Sequence, residues 1–353
     1  MAQKKIAIVI ENAFGYAGTE NMCNFMSECL GKDNEVTIYS LKGQGPAFYP
    51  FKRVVNIVSL HSSRFKIPSL IKQLKYENYD VIFLISMGKL SVYFYFFAPK
   101  RFIKNKVISC EHVSLHSFSK LKRIVKVASL KAYKKVVVLT KRDLSCMVAN
   151  DINAVQISNP LHYNNFERRE YGCNFVAIGR LEKQKGYDRM LRIWGKFKKE
   201  NPKAQLFIAG EGSMMNPLQQ LARDLKIDSS VHFLGQIKNV DELYKKYDVL
   251  IMTSYYEGMP LALLEAKSWA MPVIAFNCPT GPQEIITDGV DGFLIDDGDC
   301  NTFIHKMQAM NDSNIYYNLS KNTKQTAINF SKEKVNEEWK RLIKLSLNEG
   351  HND

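Results

Sequence analysis

Hydrophobic residues come in short continuous runs along most of the chain, and longer amphipathic stretches separate most of these runs. Continuous apolar runs are typical of parallel strands that are covered on both faces, so their alternation with helices predicts an α/β fold with doubly wound parallel sheets. In the first half the predicted strands are Ile6–Ile10, Glu35–Tyr39, Val54–Val58, Val81–Ile85, Val107–Cys110, Val136–Leu139 and Val155–Ile157. In the second half they are Phe175–Ile178, Gln205–Ala209, Val231–Leu234, Val249–Met252, Val273–Ala275 and Gly292–Ile295.

A polar, turn-rich segment after Asn159-Pro160 interrupts this alternation, and a length of 353 residues favours two domains. We therefore predict an N-terminal Rossmann-like domain over residues 1–165 and a second one over 173–330. A charged helix and a tail over 331–353 complete the chain, and we expect this helix to return to the N-terminal domain. Two such domains side by side form a cleft, where ligands gather at the carboxyl ends of the strands.

Two carboxylates, Glu257 and Glu265, lie on either side of Pro260. Proline is favoured at the first position of a helix, so we predict a helix that starts at Pro260 and stops before Pro272. Eight helical residues cover about 12 Å, whereas the two carboxylates of a glycosidase lie about 5 to 9.5 Å apart. The spacing favours contacts with two ends of one extended ligand over a catalytic acid pair.

Loops that follow predicted strands are the positions where a nucleotide ligand binds in such folds. The first, Asn12–Glu20, contains Gly15 and Gly18, and glycine allows close approach of the backbone to a phosphate or sugar. It lacks the Gly-x-Gly-x-x-Gly pattern, so a nicotinamide fingerprint is not supported.

Two further loops of this kind follow strands of the second half. Gly179–Gly186 carries Arg180 and Lys185, which together could neutralise a diphosphate without a metal ion. The next loop begins with Gly210 and Glu211. It is compatible with a base-binding or phosphate-binding loop and equally with a helix cap.

The segment Cys110–His116 ends a strand of the first half and contains two histidines. Their spacing predicts that His112 and His116 share a helix face, but no His-Glu-x-x-His pattern or cysteine pair accompanies them, so we predict no metal site. His112 either hydrogen-bonds a ligand hydroxyl or is a structural histidine. Seven scattered cysteines without Cys-x-x-Cys spacing indicate reduced thiols in a cytoplasmic protein. The apolar run near the N-terminus is too short for a signal peptide, and no run is long enough to span a membrane.

The positive charge of the chain is concentrated in its first half. Residues 1–165 hold 24 of the 49 Lys and Arg but only 10 of the 35 Asp and Glu, and these account for the whole net charge of +14. Between Lys89 and Arg142 there are 14 basic residues and a single acidic one, Glu111. Such a field favours an anionic partner, which could be a nucleic acid, a membrane surface or a phosphorylated substrate. A solubilising surface is the alternative.

Within this basic region, residues 117–135 show the pattern of a basic amphipathic helix. Its apolar stripe comprises Leu121, Ile124, Val125, Ala128 and Ala132, and its Lys and Arg residues, Lys126 among them, lie mostly elsewhere. We favour a membrane-surface role over a solvated face for this helix. The preceding aromatic run, Val92–Phe97, favours a buried helix.

Together and in this order, these motifs resemble the retaining, nucleotide-sugar-dependent glycosyltransferases of the GT-B fold, family 4 or group 1 type. The resemblance is strongest over residues 173–300, and the first half matches less closely. It rests on Gly18-Thr19-Glu20, His112, Gly179-Arg180-Leu181, Lys185-Gly186, Gly210-Glu211-Gly212, Glu257 with Glu265, and the segment from Cys278 to Leu294. The first loop departs from many relatives because Tyr16 and Ala17 separate glycines that are adjacent in those proteins.

The resemblance implies two Rossmann-like domains and transfer of a hexose, with retention, from a nucleotide diphosphate sugar to a saccharide acceptor. A UDP-sugar donor, a lipid-linked acceptor and a role in lipopolysaccharide or capsule biosynthesis are the favoured forms of this activity. No metal or cofactor is expected, and no covalent intermediate on the protein. The implied catalytic residues are Glu257 and His112, with Arg180 and Lys185 at the diphosphate, Glu265 at the ribose, and backbone contacts from Gly258, Met259, Leu261, Gly15 and Gly18.

The favoured location is the cytoplasmic face of the cell membrane, held by the basic region Lys89–Arg142. Two other functions stay open at this point. One is a sugar-nucleotide epimerase or hydrolase on the same fold. The other is a nucleic-acid-binding protein, which only the pI of about 9.3 suggests; no nucleic-acid-binding motif accompanies it, so we predict no nucleic-acid partner.

Overall fold

The structure, a computed structural model, describes residues 3–348 apart from 16–17, 52–54, 64, 162–165 and 167–170. The chain divides into two compact units, one formed by residues 1–160 with 333–353 and the other by residues 161–332. Several predicted features lie outside the described residues: Val54, loop residues Tyr16 and Ala17, most of the polar segment between the halves, and the end of the tail.

The strands of the first unit form one parallel sheet in which the described strands pair side by side. They are β1 (Lys5–Asn12), β2 (Glu35–Lys42), β3 (Asn56–Ser59), β4 (Val81–Ser86), β5 (Val107–Glu111), β6 (Lys135–Val138) and β7 (Ala154–Gln156). Their order is β3-β2-β1-β4-β5-β6-β7. The order reverses between β1 and β4, so the loops after these two strands lie at a topological switch point.

Helices of the first unit connect these strands. They are α1 (Gly18–Leu30), α2 (Lys66–Tyr76), α3 (Lys89–Phe97), α4 (Lys100–Lys106), α5 (Lys120–Leu130) and α6 (Lys141–Val148). Two hydrophobic clusters contain alternate residues of the same strands: Ile6 and Ile8 belong to one, Ala7 and Val9 to the other. The sheet is therefore covered on both faces, which explains why its strands are continuous apolar runs.

The second unit repeats this arrangement with a second parallel sheet. Its strands are β8 (Asn174–Ile178), β9 (Gln205–Ala209), β10 (Val231–Gly235), β11 (Val249–Met252), β12 (Val273–Asn277) and β13 (Phe293–Asp296). Its helices are α7 (Tyr187–Glu200), α8 (Met215–Asp224), α9 (Asp241–Lys246), α10 (Leu261–Ser268), α11 (Pro282–Ile285), α12 (Cys300–Ala309) and α13 (Ser313–Ala327). The strand order is β10-β9-β8-β11-β12-β13, so β8 and β11 flank the switch point of this sheet.

The last helix, α14 (Lys332–Asn348), returns to the first unit. Val335, Trp339 and Leu342 are buried in the same hydrophobic cluster as the residues of β1 and β4. The indole of Trp339 packs edge-on against Phe83, with ring centroids 5.5 Å apart. The predicted return of the C-terminal helix is confirmed.

Helix α5 is shorter than the predicted helix, and Ala132 lies beyond its end. Leu121 and Ile124 are 74% and 66% exposed, so the predicted apolar stripe faces outward. Lys126, which we placed with the basic residues of the polar side, is buried instead. Its Nζ lies 2.7 Å from Oε2 of Glu111, and this ion pair compensates the cost of burying both charges.

The aromatic helix α3 is only half buried, so the prediction of a buried helix over Val92–Phe97 is wrong for three of its aromatic residues. Phe94 is fully buried, whereas Tyr93, Phe96 and Phe97 are 50%, 64% and 58% exposed. Because the aromatic residues are consecutive, they project from all sides of the helix. The rest of the unit buries only one of these sides.

The predicted shared helix face of His112 and His116 is also wrong. His112 follows β5 in an extended segment, where its backbone N–H donates to the carbonyl of Ser86. His116 lies in a single short turn of 3-10 helix, Leu115–Ser117. The hydrogen bond to Ser86 continues the β-sheet pattern one residue past Glu111, so His112 extends the strand instead of joining the turn that contains His116.

Candidate active site

The loops after β8 and β11 meet beside the switch point of the second unit. Lys185 ends a short 3-10 turn, Lys183–Lys185, and its Nζ lies 2.6 Å from Oε1 of Glu257. Glu257 is 8% exposed, and Lys185 is partly buried. The structure therefore brings together two residues that are 72 positions apart in the sequence and were predicted to act on the same ligand.

Side chains from two other positions hold Glu257 in place. The hydroxyl of Ser254 donates to Oε1 of Glu257 at 2.7 Å. The hydroxyl of Thr280 donates to the backbone carbonyl of Glu257. Hydrogen bonds therefore hold both the carboxylate and the main chain of Glu257.

Backbone hydrogen bonds join the same two loops. The N–H of Tyr255 donates to the carbonyl of Gln184 at 2.8 Å, and the amide of Gln184 donates to the carbonyl of Tyr256 at 2.8 Å. Lys185 and Glu257 are thus neighbours on two loops that pair with each other. The hydrogen bonds between the loops therefore hold Lys185 and Glu257 close together, in addition to the ion pair between their side chains.

The loop that carries Arg180 packs against the loop that carries Glu211. The N–H of Leu181 donates to the carbonyl of Glu211 at 2.8 Å. A Cβ on Gly210 would lie 2.0 Å from the carbonyl oxygen of Gly179, so only glycine allows this approach. The helix-cap alternative for this loop is not realised, because α8 has Met214 at its N-cap. Arg180 and Glu211 are both exposed on the joined loops.

Glu265 lies in the second turn of α10, as predicted. Burial raises the pKa of its carboxyl, and the hydroxyl of Tyr244, which donates to Oε2 at 2.7 Å, opposes this shift. Helix α10 begins at Leu261, with Pro260 as its N-cap, one residue later than predicted. Gly258 and Met259 directly precede this start, so the three predicted backbone contacts lie at one helix end.

In the first unit, Gly15 and His112 lie on the loops that follow β1 and β5. Helix α1 begins at Gly18. Gly15 lies close to the carboxylate of Glu20, because a Cβ there would be 2.9 Å from its Oε1. His112 is partly buried, and burial lowers the pKa of its imidazole to about 4, against the opposing effect of Glu111. His112 is therefore neutral near pH 7, able to donate one hydrogen bond and accept another.

With this geometry established, the comparison with known proteins identifies the family. Residues 167–328 match the sequence profile of the glycosyl transferases group 1. The amylovoran biosynthesis glycosyltransferase AmsD of Erwinia amylovora is 32% identical, over 96% of this chain and 99% of its own. The chain is a group 1 glycosyltransferase.

Two further proteins resemble this glycosyltransferase over nearly their whole length. A Campylobacter jejuni α-1,4-N-acetyl-D-galactosaminyltransferase, whose named acceptor is a saccharide on diphosphoundecaprenol, is 28% identical over 96% of this chain and 98% of its own. The crystal structure of Staphylococcus aureus TarM, determined as a complex that includes UDP, superposes with a TM-score of 0.83 at 15% identity, covering 97% of this chain and 100% of TarM. The predicted GT-B fold and family are confirmed.

Sequence reasoning missed several residues that position the site of this glycosyltransferase. Ser254 and Thr280 hold Glu257, and Arg189 supports the backbone before it. No motif marks Ser254 or Arg189, and Thr280 lies in the segment Cys278–Leu294 without a predicted role, because the roles of all three depend on which loops the sheet places side by side. Only the position of Ser254, three residues before a suspected catalytic carboxylate in the same loop, could have indicated its role.

The described part of the glycosyltransferase contains neither a cluster of metal-binding side chains nor a helix that could span a membrane. Among the residues that the structure describes, no three His, Cys, Asp or Glu side chains are grouped as they are around a metal ion. The same part of the chain contains no helix that is long and apolar enough to cross a membrane. All seven cysteines are free thiols.

The lowered pKa of His112 predicts how stability changes with pH. The folded protein takes up this proton near pH 4, whereas the unfolded chain takes it up near the ordinary value of 6.5. Between these values the unfolded chain binds more protons, so the free energy of unfolding falls as the pH is lowered and is unaffected by this group above pH 6.5. We expect His112→Gln to flatten the decrease in melting temperature between pH 7 and about 4.5.

The matched control for this titration is His116→Gln, which removes an exposed histidine from the same segment. Its melting temperature should follow the pH dependence of the wild type. An unchanged pH dependence in His112→Gln would show that His112 does not titrate as its burial indicates.

Proposed function

We propose that this glycosyltransferase moves a hexose, with retention, from a UDP-sugar to a saccharide carried on a lipid diphosphate, in the synthesis of a surface polysaccharide. The observation that carries the proposal is the meeting of Lys185 with the fixed carboxylate of Glu257 at the switch point of the second unit. UDP in the TarM complex supports the choice of nucleotide. The acceptor named for the Campylobacter relative supports a saccharide on a lipid diphosphate. The amylovoran biosynthesis named for the Erwinia relative supports a role in making a polysaccharide.

The proposed placement of the donor follows from the charges of the loops. Its diphosphate lies against Arg180 and Lys185, its ribose against Glu265, and its hexose beside Glu257 and the backbone that starts α10. Breaking the bond between C1 of the sugar and the phosphate oxygen leaves negative charge on UDP, which the two cations stabilise. The acceptor hydroxyl attacks C1 from the face that UDP leaves, and its proton passes to the departing phosphate oxygen.

The two cations also supply the charge that a divalent metal would otherwise provide. We therefore propose that the reaction requires no bound metal, and that transfer continues in the presence of a chelator. His112, neutral near pH 7 because its pKa is lowered to about 4, suits a hydrogen bond to a sugar hydroxyl better than a proton transfer.

A thermal-shift screen of UDP- and GDP-sugars, in buffer containing a chelator, tests the choice of donor. A ligand that binds only the folded state at 100 times its dissociation constant stabilises it by about 2.7 kcal/mol. We expect one UDP-sugar to raise the melting temperature by several degrees and GDP-sugars to have no effect. A response to GDP-sugars alone, or only after a divalent metal is added, would contradict the proposed donor or the proposed metal independence.

The proposal includes a membrane-facing surface on the first unit, defined as the exposed residues of α3, α4 and α5. Apolar Leu121 and Ile124 project from α5, and Phe96 and Phe97 project from α3. Exposed Lys and Arg residues lie on the same three helices, and the single acidic residue between Lys89 and Arg142, Glu111, is buried against Lys126. This combination of exposed apolar and basic groups suits an anionic lipid surface at the inner face of the membrane.

Flotation with anionic lipid vesicles tests the membrane-facing surface. Fully burying a leucine or isoleucine is worth about 1.5 to 3 kcal/mol, and each basic residue near anionic lipid about 1 kcal/mol. We expect the double substitution Leu121→Gln with Ile124→Gln to reduce binding at least about tenfold, because even half of this apolar contribution corresponds to that factor.

The matched control is Ile328→Gln, which removes an equally exposed isoleucine from the second unit, and it should float like the wild type. The proposed membrane-facing surface would be contradicted if the wild type floated equally with neutral and anionic vesicles. It would also be contradicted if the wild type floated with neither at physiological salt.

A further inference from the structure

Arg189, in the first turn of α7, is a cation that no motif singles out, yet its guanidinium is almost completely engaged. Its side chain is 13% exposed. Nε donates to the carbonyl of Thr253 at 2.5 Å, and Nη2 donates to the carbonyl of Ser254 at 2.5 Å. Nη1 donates to Oδ1 of Asp297 at 2.7 Å. One planar group thus binds two consecutive carbonyls and a carboxylate.

Two aromatic rings accompany these hydrogen bonds. The guanidinium carbon lies 4.1 Å from the ring centroid of Tyr255 and 4.4 Å from that of Phe276. At these distances the face of each ring attracts the positively charged guanidinium. Arg189 therefore contacts three consecutive residues of the loop after β11. It binds the main chain of Thr253 and Ser254 and packs against the side chain of Tyr255.

The same loop carries the proposed catalytic carboxylate. Ser254, whose carbonyl accepts from Arg189, donates its hydroxyl to Glu257, and Glu257 pairs with Lys185. Gly186 provides the space for this arrangement, because a Cβ there would lie 2.1 Å from the carbonyl oxygen of Thr253 and 2.9 Å from Nε of Arg189. A continuous path of contacts connects the guanidinium to the carboxylate.

We propose that Arg189 is a positioning residue for Glu257: by binding the carbonyls of Thr253 and Ser254, it sets the place of the carboxylate beside the donor sugar. This inference rests on the proposed function. Arginine suits the role because its rigid fork can reach two carbonyls and a carboxylate at once and stack on rings, whereas lysine offers a single compact charge. Small displacements at a reacting centre cost up to about 100-fold in rate.

The test compares Arg189→Lys with Asp297→Asn in the full-length enzyme. Arg189→Lys keeps the charge but loses the fork, and we expect kcat to fall about 10- to 100-fold while the dissociation constant of UDP, measured by calorimetry, changes less than about threefold. Hydrogen exchange should accelerate at the amides of residues 254–259. Asp297→Asn keeps both carbonyl contacts of Arg189, and its kcat should stay within about threefold of wild type.

Adding Glu257→Gln separates the possible outcomes. If Arg189 acts through Glu257, then Arg189→Lys in the Glu257→Gln background should cost little further rate, because coupled residues are not additive. Wild-type kcat in Arg189→Lys, or equal losses of kcat and UDP binding with a lower melting temperature, would overturn the positioning role. Wild-type activity in Glu257→Gln alone would instead overturn the assignment of Glu257 in the proposed function.

Discussion

Replacing Glu257 with glutamine is expected to lower kcat by about 100- to 1000-fold, the range seen when a preorganised electrostatic contact with a transition state is removed. Glutamine has nearly the same shape, and the hydroxyl of Ser254 can still donate to its amide oxygen. The negative charge is lost, together with the ion pair to Lys185. Because the nucleotide is proposed to contact other residues, we expect the dissociation constant of UDP to change less than about threefold.

The matched control is Glu242→Gln, which neutralises an exposed glutamate of the same unit, on α9. Its kcat and its affinity for UDP should both equal those of the wild type. Near-wild-type turnover in Glu257→Gln would show that the carboxylate has no part in transfer. Loss of UDP binding together with turnover would place Glu257 at the nucleotide instead of at the sugar.

The second large effect is expected at the proposed diphosphate site. Hydrogen bonds to charged groups contribute about 1.5 to 3 kcal/mol each, so Arg180→Ala and Lys185→Ala should each weaken UDP binding by about 10- to 100-fold. Calorimetry with UDP measures this directly, and the same titration with uridine, which has no phosphate, should show no difference between variants and wild type.

The structure also predicts that these two variants differ in stability. Arg180 is exposed, so its removal should leave the melting temperature unchanged. Lys185 is the ion-pair partner of the buried Glu257, so its removal leaves a buried carboxylate without its counter-charge and should lower the melting temperature. Lys183→Ala, an exposed lysine of the same 3-10 turn, is the control for both measurements. Unchanged UDP affinity in Arg180→Ala and Lys185→Ala would contradict the diphosphate role.

Much of the fold could be predicted from the sequence because burial on both sides of a sheet leaves a simple pattern. Every residue of β4 is buried, and the first five, Val81–Ile85, form an apolar run without a break. Pro260 marks the start of α10 to within one residue, since proline is compatible with a helix only near its first turn. The apolar positions of α14 similarly indicate a helix with one buried side.

Periodicity could not predict which side of α5 is buried. The pattern separates apolar from basic positions, but the buried side contains Lys126, which Glu111 neutralises at 2.7 Å. A lysine is ordinarily exposed, and the sequence does not show that the fold places the carboxylate of Glu111, on β5, within ion-pair distance of Lys126. Similarly, the aromatic run of α3 does not show which rings the sheet covers.

The sequence allowed the separate loops of the candidate site to be predicted, but not the contacts between these loops. Arg180, Lys185 and Glu257 stand out because charged residues in glycine-containing loops after strands are typical of phosphate and sugar sites. The contact between Lys185 and Glu257 depends on β8 and β11 being neighbours in the sheet. The contribution of Arg189 depends on the first turn of α7 lying against the loop after β11. Neither fact is visible along the chain.

The proposed reaction itself is tested most directly by following a labelled hexose from the UDP-sugar that the thermal-shift screen selects. The enzyme is incubated with this donor, with and without a saccharide–diphosphate–polyprenol acceptor in anionic vesicles. We predict that label enters the lipid phase only with the acceptor, in an amount equal to the UDP released, and that the new linkage keeps the anomeric configuration of the donor. Free sugar or an epimer formed from the donor alone, with no label in the lipid, would contradict the account.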